Sequence, residues 1–223
     1  MRGRGLTLVE TLVALFVFIL LLGAMLALLR DTLAANSLAR KQALLVEEAR
    51  NALGYLGEKA QEAQTLLVPG FSATPQGSAT AFTCTTPACV GLLLPQGTGC
   101  QLRVWRAVPR GQVPAGEKEP DPWADANTKA VLEYRLDTSC TAQSAYSRLA
   151  NVGPLLDYLS NDPFALKSAS GTTAVSATDP AVCLEVAVQL RLQQGNRTVT
   201  FPPSALNLRV YPRNLGTRAK CAP

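Results

Sequence analysis

Glu10 places a carboxylate inside an otherwise apolar sequence. Leu8 and Val9 precede it, and residues 12–29 contain no charged residue, no proline and no side-chain amide. A carboxylate buried in hydrocarbon without a partner costs several kcal/mol, about 2.5 to 3.5 on membrane-insertion scales. The sequence therefore predicts that Glu10 pairs with a positive group and that this pairing has a function.

Basic residues near the C-terminus form a second candidate site. These residues are Arg209, Arg213, Arg218 and Lys220, with Tyr211 between them. Clustered arginine and lysine side chains can contact the phosphates of nucleic acids, so one hypothesis is that they bind DNA. The alternative is that they are solvated charges protecting an edge strand. The sequence favours this second interpretation.

All six cysteines follow the apolar segment: Cys84, Cys89, Cys100, Cys140, Cys183 and Cys221. Such an even set predicts three disulfides, which form in oxidising compartments. Six cysteines can pair in many ways, so the sequence leaves the connectivity open. Our hypothesis is sequential pairing, in which a turn containing Pro87 joins Cys84 to Cys89. The pairs Cys100–Cys140 and Cys183–Cys221 would then close longer loops.

Most catalytic chemistry lacks the residues it needs. The chain contains no histidine, which excludes Ser-His and Cys-His nucleophile pairs, and no close C-x-x-C pair that would indicate a zinc site. Asp121 and Asp125 are one helical turn apart, but their proline-rich surroundings favour a solvated loop over a carboxylate dyad. Ser-Lys chemistry stays formally open without support. We predict no catalytic residue, no metal site and no cofactor.

Residues 6–29 have the length and composition of a membrane-spanning helix. Residues 12–29 would form about 27 Å of helix, and adding residues 6–11 extends it to about 36 Å, enough to cross a bilayer with tilt. Arg2 and Arg4 precede this segment, whereas the charges of Arg30 and Asp31 after it cancel. The positive-inside tendency therefore predicts a cytoplasmic N-terminus and an exported remainder.

Residues 30–68 are predicted to continue the same helix. Apolar residues recur at spacings of three and four, no proline occurs before Pro69, and Pro69-Gly70 is a helix stop signal. Charged residues lie on the opposite face of this segment. Because propensity alone does not hold such a helix in water, its apolar face requires a domain or neighbouring chains to cover it.

Residues 71–223 are predicted to form a β-rich exported domain. Segments 101–108, 130–136, 184–192 and 198–210 alternate apolar and polar residues, and the last two are predicted to form a hairpin. Pro202-Pro203 limits the final strand to an edge or divides it into two pieces. We predict a surface loop over 108–127 and a short helix within 144–159. The predicted fold class is α+β, with a long N-terminal helix packed on a C-terminal antiparallel sheet domain that carries disulfides.

Residues 5–14, from Gly5 through Glu10 to Ala14, resemble the processing motif of type IV prepilins and pseudopilins. In that family a glycine precedes a hydrophobic residue, and a glutamate follows five places after the cleavage point. The resemblance implies a leader at residues 1–5, cleavage by a prepilin peptidase between Gly5 and Leu6, and N-methylation of Leu6. It further implies a bacterial inner-membrane protein with a periplasmic C-terminal domain that later enters a pilus or pseudopilus.

The same resemblance implies a partner for Glu10. In a filament of packed N-terminal helices, this carboxylate would neutralise the terminal amine of an adjacent subunit. The implied partners are other pilins or pseudopilins, the prepilin peptidase, the inner-membrane assembly platform and membrane lipid. Ala27 stands where major pilins usually have a proline, which favours a minor subunit.

The downstream sequence resembles the J-type pseudopilins and W-type minor pilins. The elements that carry this resemblance are Glu133-Tyr134-Arg135-Leu136, residues 152–158 and residues 208–214. They imply a minor subunit that helps to initiate or cap a filament of a pilus, type II secretion or DNA-uptake system. One alternative is a DNA-binding pilin of natural transformation. Another is a membrane-anchored periplasmic enzyme, although an ordinary signal segment is shorter and lacks an acidic residue at its start.

Overall fold

The structure is a computed structural model that describes residues 8–168, 171–173, 175–176, 178–194 and 197–213. The chain divides into two compact units, Met1–Leu44 and Leu45–Pro223. Helix α1 (Leu8–Glu62) contributes residues to both units.

In the first unit, α1 exposes its large apolar side chains. Leu12, Phe16 and Leu22 keep 58%, 63% and 47% of their surface accessible. The helix is long and apolar enough to cross a membrane, and none of its most apolar stretch is buried. Length and composition therefore agree with the predicted membrane-spanning segment, while its orientation stays a prediction.

In the second unit, the remaining part of α1 packs on a β-sheet. Its buried residues include Leu45, Ala49, Leu53, Leu56 and Ala60, which follow one another at spacings of three and four. This spacing forms one apolar stripe along a helix. The predicted covering of the amphipathic segment by a domain is thus observed for residues 45–62.

The rest of the second unit consists of strands with short helical insertions. The strands before the insertions are β1 (Thr65–Leu66), β2 (Phe71–Pro75), β3 (Phe82–Cys84), β4 (Cys89–Gln96) and β5 (Gly99–Pro109). Two 3-10 turns, Arg110–Gln112 and Ala115–Glu117, then lead to helix α2 (Pro122–Asn127). The later strands are β6 (Lys129–Thr138), β7 (Ala145–Leu159), β8 (Phe164–Ser168), β9 (Ala181–Gln194) and β10 (Arg197–Val210).

These strands form one sheet in the order β1-β4-β5-β6-β7-β2-β3, and β9 joins β7, β8 and β10. Most neighbours are antiparallel, but β2 and β7 are parallel, with Ser72 opposite Ala145. The prediction of an antiparallel sheet is therefore wrong in this part, and the sheet is mixed. A parallel pair needs a long crossover connection, and here β3 to β6 provide it.

The two faces of the sheet have different neighbours. Leu102, Val104 and Leu132 belong to a buried apolar cluster that also contains Phe71 and Tyr146. Successive side chains of a strand point to opposite faces of the sheet, so the residues next to Leu102, Val104 and Leu132 in their strands lie on the opposite face. Residues 103 and 133 lie on that second face, and both contact Tyr55 of α1.

Helix α1 ends at Glu62, earlier than the predicted boundary at residue 68. The Gln64 N–H donates to the carbonyl of Leu93 at 2.8 Å, and the Leu67 N–H donates to that of Gly91 at 2.9 Å. The chain therefore leaves the helix to pair with β4. Ala63 and Leu67 are still buried, which explains why apolar spacing extended the prediction too far.

The predicted helix within residues 144–159 is wrong, since this segment is strand β7. Tyr146, Leu149 and Leu156 are buried at spacings that resemble a helix. Register shifts in the pairing with β6 remove the regular alternation. Gly153, at φ +125°, adopts a conformation that an α-helix excludes, and Pro154 follows it.

The four strands predicted from alternation fall inside β5, β6, β9 and β10, and the β9–β10 hairpin is confirmed. Among the described strands, β10 pairs with β9 alone, and its register shifts between Phe201 and Leu206, around Pro202-Pro203. The predicted loop over 108–127 instead contains α2. That helix begins at Pro122 because the Asp121 carboxylate accepts the Ala124 N–H at 3.0 Å.

Two predicted disulfides are confirmed, Cys84–Cys89 and Cys100–Cys140. Cys183 is also disulfide-bonded. Its predicted partner, Cys221, lies outside the described residues.

The disulfides are expected to differ in their contribution to stability. Replacing Cys100 and Cys140 by alanine should lower the free energy of unfolding by about 4 kcal/mol, because this bond closes a loop with a separation of 40 residues. Replacing Cys84 and Cys89, with a separation of 5, should cost about 2 kcal/mol. Urea denaturation of the two double variants measures both values. An equal or larger loss for the short loop would contradict this order.

Candidate functional site

Glu10 lies in the first turn of α1, as expected for the start of the apolar helix. Its neighbours Leu8, Val9, Leu12 and Val13 are all exposed. An acidic group near a helix N-terminus interacts favourably with the helix dipole. The described part of the first unit is thus an exposed apolar helix with a carboxylate near its beginning. Gly5 and Leu6, the predicted processing residues, lie outside the described residues.

The predicted basic patch is only partly described, since Arg218 and Lys220 lie outside the described residues. Arg209 of β10 pairs with Glu185, with Nε 2.8 Å from the carboxylate. Arg213 donates from Nη2 to the Gln61 side chain at 2.5 Å and from its N–H to the Gln61 carbonyl at 2.9 Å. These two arginines line different clefts. The hypothesis that these basic residues bind DNA stays a prediction.

Glu133 is the centre of a buried polar cluster that the sequence did not indicate as a site. Its side chain is 1% exposed, and its Oε1 atom accepts from Arg103 Nη1 at 3.0 Å and from Arg135 Nε at 2.9 Å. The Tyr55 hydroxyl donates to the same carboxylate at 3.0 Å. Strands β5 and β6 pair Arg103 with Arg135 across the ladder, and α1 supplies the tyrosine.

The Tyr55 hydroxyl connects all three charged residues. It accepts hydrogen bonds from Arg103 and Arg135 while it donates to Glu133. Burial, together with the negative charge of Glu133, raises the pKa of Tyr55. Tyr55 therefore stays a neutral donor and acceptor at physiological pH. The cluster thus joins α1 to the sheet through a fully protonated phenol and a carboxylate shared by two arginines.

A surface cleft of about 570 Å³ opens beside this cluster. We call it the arginine cleft, and its lining includes Arg103, Arg135, Arg213, Leu94, Glu58 and Glu62. The lining combines the end of α1, strands β4 to β6 and the residues after β10. Cationic, anionic and apolar side chains meet there, which is an arrangement suited to polar recognition.

A second buried cluster surrounds Arg110, whose side chain is 0% exposed. Its Nε atom donates to Asp157 at 2.8 Å, its Nη1 to Asp125 at 2.5 Å and its Nη2 to the Glu119 carbonyl at 2.8 Å. The guanidinium also lies over the Tyr158 ring, 4.7 Å from its centroid. A buried arginine with this many acceptors holds the segment between β5 and β6 against β7.

Asp121 and Asp125, which lie one helical turn apart in the sequence, have separate partners. Asp121 caps α2 and accepts from the Tyr158 hydroxyl at 3.1 Å. Asp125 contacts Lys118 at 3.0 Å in addition to Arg110. The hydrogen bond from Lys118 and the nearby charge of Arg110 lower the pKa of Asp125. Both carboxylates therefore hold a loop and the short helix α2 in position.

One signal in the sequence points to the Glu133 cluster. Strand alternation places Arg103, Glu133 and Arg135 on the same face as buried Trp105 and Val131. Charged residues on an apolar face indicate buried ion pairs. For Arg110 the sequence offers no comparable signal, because it follows a strand in a segment rich in proline and charge.

The described residues include no group of three or more histidine, cysteine, aspartate or glutamate side chains that could hold a metal ion. Comparison with known proteins adds no family, because no protein-family model, no curated protein and no solved structure matches the chain. The functional interpretation therefore depends on the residues described above. Of these features, the apolar surface of α1 in the first unit is the one that most needs a covering partner.

Proposed function

We propose that this chain is a minor subunit of a type IV pilus or a related filament, held in a membrane by α1 before assembly. The observation that carries the proposal is the exposed apolar surface of α1, with Glu10 in its first turn. A bilayer first covers this surface, and the helices of neighbouring subunits cover it later. The proposed role is to help initiate or cap the filament.

The exposed surface of α1 requires an apolar environment. Each square ångström of apolar surface that leaves water contributes about 25 cal/mol. Contiguous apolar patches of this kind mark contacts with membranes or with other proteins. Lipid and packed helices both satisfy this requirement, so a single segment can serve as an anchor and as a filament core.

Close packing between subunits needs small side chains on this helix. Gly23 has open space where a Cβ atom would stand, so a neighbouring backbone can approach there. Ala24 and Ala27 follow within one turn. Small residues of this kind let helices approach closely in an apolar environment.

Glu10 supplies the register of the proposed contact. After cleavage behind Gly5, the new amine of Leu6 would carry a positive charge at the start of the helix. Between two subunits in a low dielectric, pairing this amine with Glu10 of its neighbour neutralises both charges. A shifted register leaves one charge unpaired, at a cost of several kcal/mol.

Residues 71–213 fit a domain on the exported side. The disulfides Cys84–Cys89 and Cys100–Cys140 are typical of oxidising compartments such as the periplasm. The charge distribution of residues 1–31 supports the same orientation. The proposal therefore places the leader in the cytoplasm and the sheet in the periplasm.

Glu10→Gln is expected to impair assembly and to leave membrane insertion intact. The substitution keeps the size of the side chain but removes the charge that pairs with the amine. We expect incorporation into filaments to fall by about tenfold or more, since an unpaired charge in an apolar environment costs more than 1.4 kcal/mol. Immunoblots of sheared filaments and of membranes from the same cells measure the ratio.

Asp31→Asn is the matched control, because it removes one carboxylate from the same helix outside the apolar stretch. It should incorporate as the unaltered chain does. The intact mass of all three proteins should correspond to a chain that begins at N-methylated Leu6. Normal incorporation of Glu10→Gln would contradict the role of Glu10, and a mature chain that still begins at Met1 would contradict the filament proposal.

A further inference from the structure

We propose that the arginine cleft binds the carboxylate of an aspartate or glutamate side chain presented by a partner protein. This inference concerns the second unit and does not depend on the filament proposal. It rests on the donors, the charge and the shape of the cleft.

Three guanidinium groups in the cleft have N–H groups that the described residues do not use. Arg103 donates from Nε to Gln101 and from Nη1 to Glu133 and Tyr55, which leaves Nη2. Arg135 uses Nε and Nη2, and Arg213 uses Nη2. Within the described part of the chain, no acceptor contacts the remaining N–H groups. The cleft therefore presents several donors to an acceptor from outside.

Around the cleft, Arg103, Arg135, Arg213 and Lys59 carry one more charge than the carboxylates of Glu133, Glu58 and Glu62. Arg103 and Arg135 share the single carboxylate of Glu133. Arg213 contacts the neutral side chain of Gln61. One guanidinium of the first pair and that of Arg213 thus have no ion pair of their own with a described carboxylate, because Glu58 and Glu62 contact Lys59. An added anion would complete the pairing, and a charge-assisted hydrogen bond to arginine is stronger than a neutral one.

The rim of the cleft distinguishes a carboxylate from a polyanion. Glu58 and Glu62 line it, and both contact Lys59, at 3.0 and 2.8 Å. The side chains of Glu58 and Glu62 are 63% and 48% exposed, and their charges disfavour the approach of a chain of phosphates such as DNA. A single carboxylate avoids most of this repulsion and matches the planar fork of an arginine.

The shape favours a carboxylate that belongs to a protein. The cleft is open to solvent, whereas sites for free small molecules usually bury most of the ligand. Leu94 and Pro95 lie beside the arginines and offer apolar contact to the stem of a side chain. The rest of an interface would then hold the acidic residue in place.

The test uses the full chain in detergent micelles, labelled with ¹⁵N-arginine, and observes the arginine Nε–Hε resonances. The probe is a short Gly-Ser peptide with one central glutamate, and its control carries glutamine instead. At constant ionic strength, the resonances of Arg103, Arg135 and Arg213 should shift and saturate with the glutamate peptide. The glutamine peptide should bind about tenfold more weakly or not at all, as expected for the loss of a charge-assisted hydrogen bond.

Arg135→Gln should weaken binding of the glutamate peptide by about tenfold. Arg148→Gln removes the same charge from an exposed position outside the cleft and should leave the affinity unchanged. Equal responses of the two variants, or equal binding of the two peptides, would overturn the proposal. Succinate tests whether the cleft binds a free carboxylate, and a short DNA duplex tests whether it binds nucleic acid. Binding of either one as tight as the peptide, and lost in Arg135→Gln, would reassign the cleft to a free carboxylate or to nucleic acid.

Discussion

Glu133→Ala is expected to lower the free energy of unfolding by about 3 to 5 kcal/mol, the cost of removing one partner from a buried ion pair. The side chain of Arg103 is 12% exposed and that of Glu133 is 1% exposed. Without the carboxylate, two guanidinium groups lie together with Tyr55 as their common acceptor. Their repulsion and their lost hydrogen bonds both disfavour the folded state. Urea denaturation of the full chain in detergent, followed by tryptophan fluorescence, measures the change.

Glu133→Gln tests the contribution of the charge separately from the contribution of side-chain packing. The amide oxygen still accepts hydrogen bonds and the volume is conserved, so the loss should be smaller than for alanine. Glu117→Gln is the control, because it removes an equal charge from an exposed position. Substitutions of that kind usually change stability by less than about 0.5 kcal/mol. A loss below 1 kcal/mol for Glu133→Ala, or one equal to the control, would show that the cluster does not hold α1 on the sheet.

The elements with a regular pattern were predictable from the sequence. The apolar run that contains Glu10 is uniform over many residues, so it indicates one helix whatever surrounds it. Strands β5, β6, β9 and β10 contain alternating apolar and polar residues, as expected when the two sides of a strand have different neighbours. Local spacing is sufficient when each side of an element has a single environment.

The errors occur where distant contacts override local spacing. Ala60, Ala63 and Leu67 continue a helical spacing, but the hydrogen bonds of Gln64 and Leu67 to β4 end the helix at Glu62. Strand β7 is paired on both sides and carries register shifts, so its buried residues imitate a helix. The parallel position of β2 beside β7 depends on the path of the whole chain.

The candidate sites also differ in how far the sequence alone reveals them. Glu10 could be identified because a single acidic residue in an apolar run is recognisable from the sequence alone. The Glu133 cluster depends on the register of β5 against β6 and on the rotation of α1, which bring Tyr55 and Arg103 to it. A sequence shows that these residues are charged or polar, but only the pairing of the strands shows that they meet. The arginine cleft depends on the same register.

Arg110→Met is expected to destabilise the protein by an amount that depends on pH. Arg110→Met keeps an apolar stem of similar length but leaves Asp157 without a guanidinium partner and Asp125 with Lys118 alone. At neutral pH the variant should be less stable by about 3 kcal/mol, the low end for a broken buried pair, because both carboxylates keep some contact with water. Arg50→Met removes an exposed charge from α1 and should change stability little.

The cost of Arg110→Met should shrink as the pH falls. The folded-state pKa of Asp125 lies below its ordinary value, so its contribution to stability is present above the unfolded pKa of about 3.9 and is lost in acid. In the variant, Asp125 keeps Lys118 but lacks the guanidinium, so it has less stability to lose when it is protonated. Urea denaturation between about pH 5 and pH 2 should therefore show the two stabilities converging. A difference that stays constant over this range would mean that Arg110 acts through packing over Tyr158 and not through its charge.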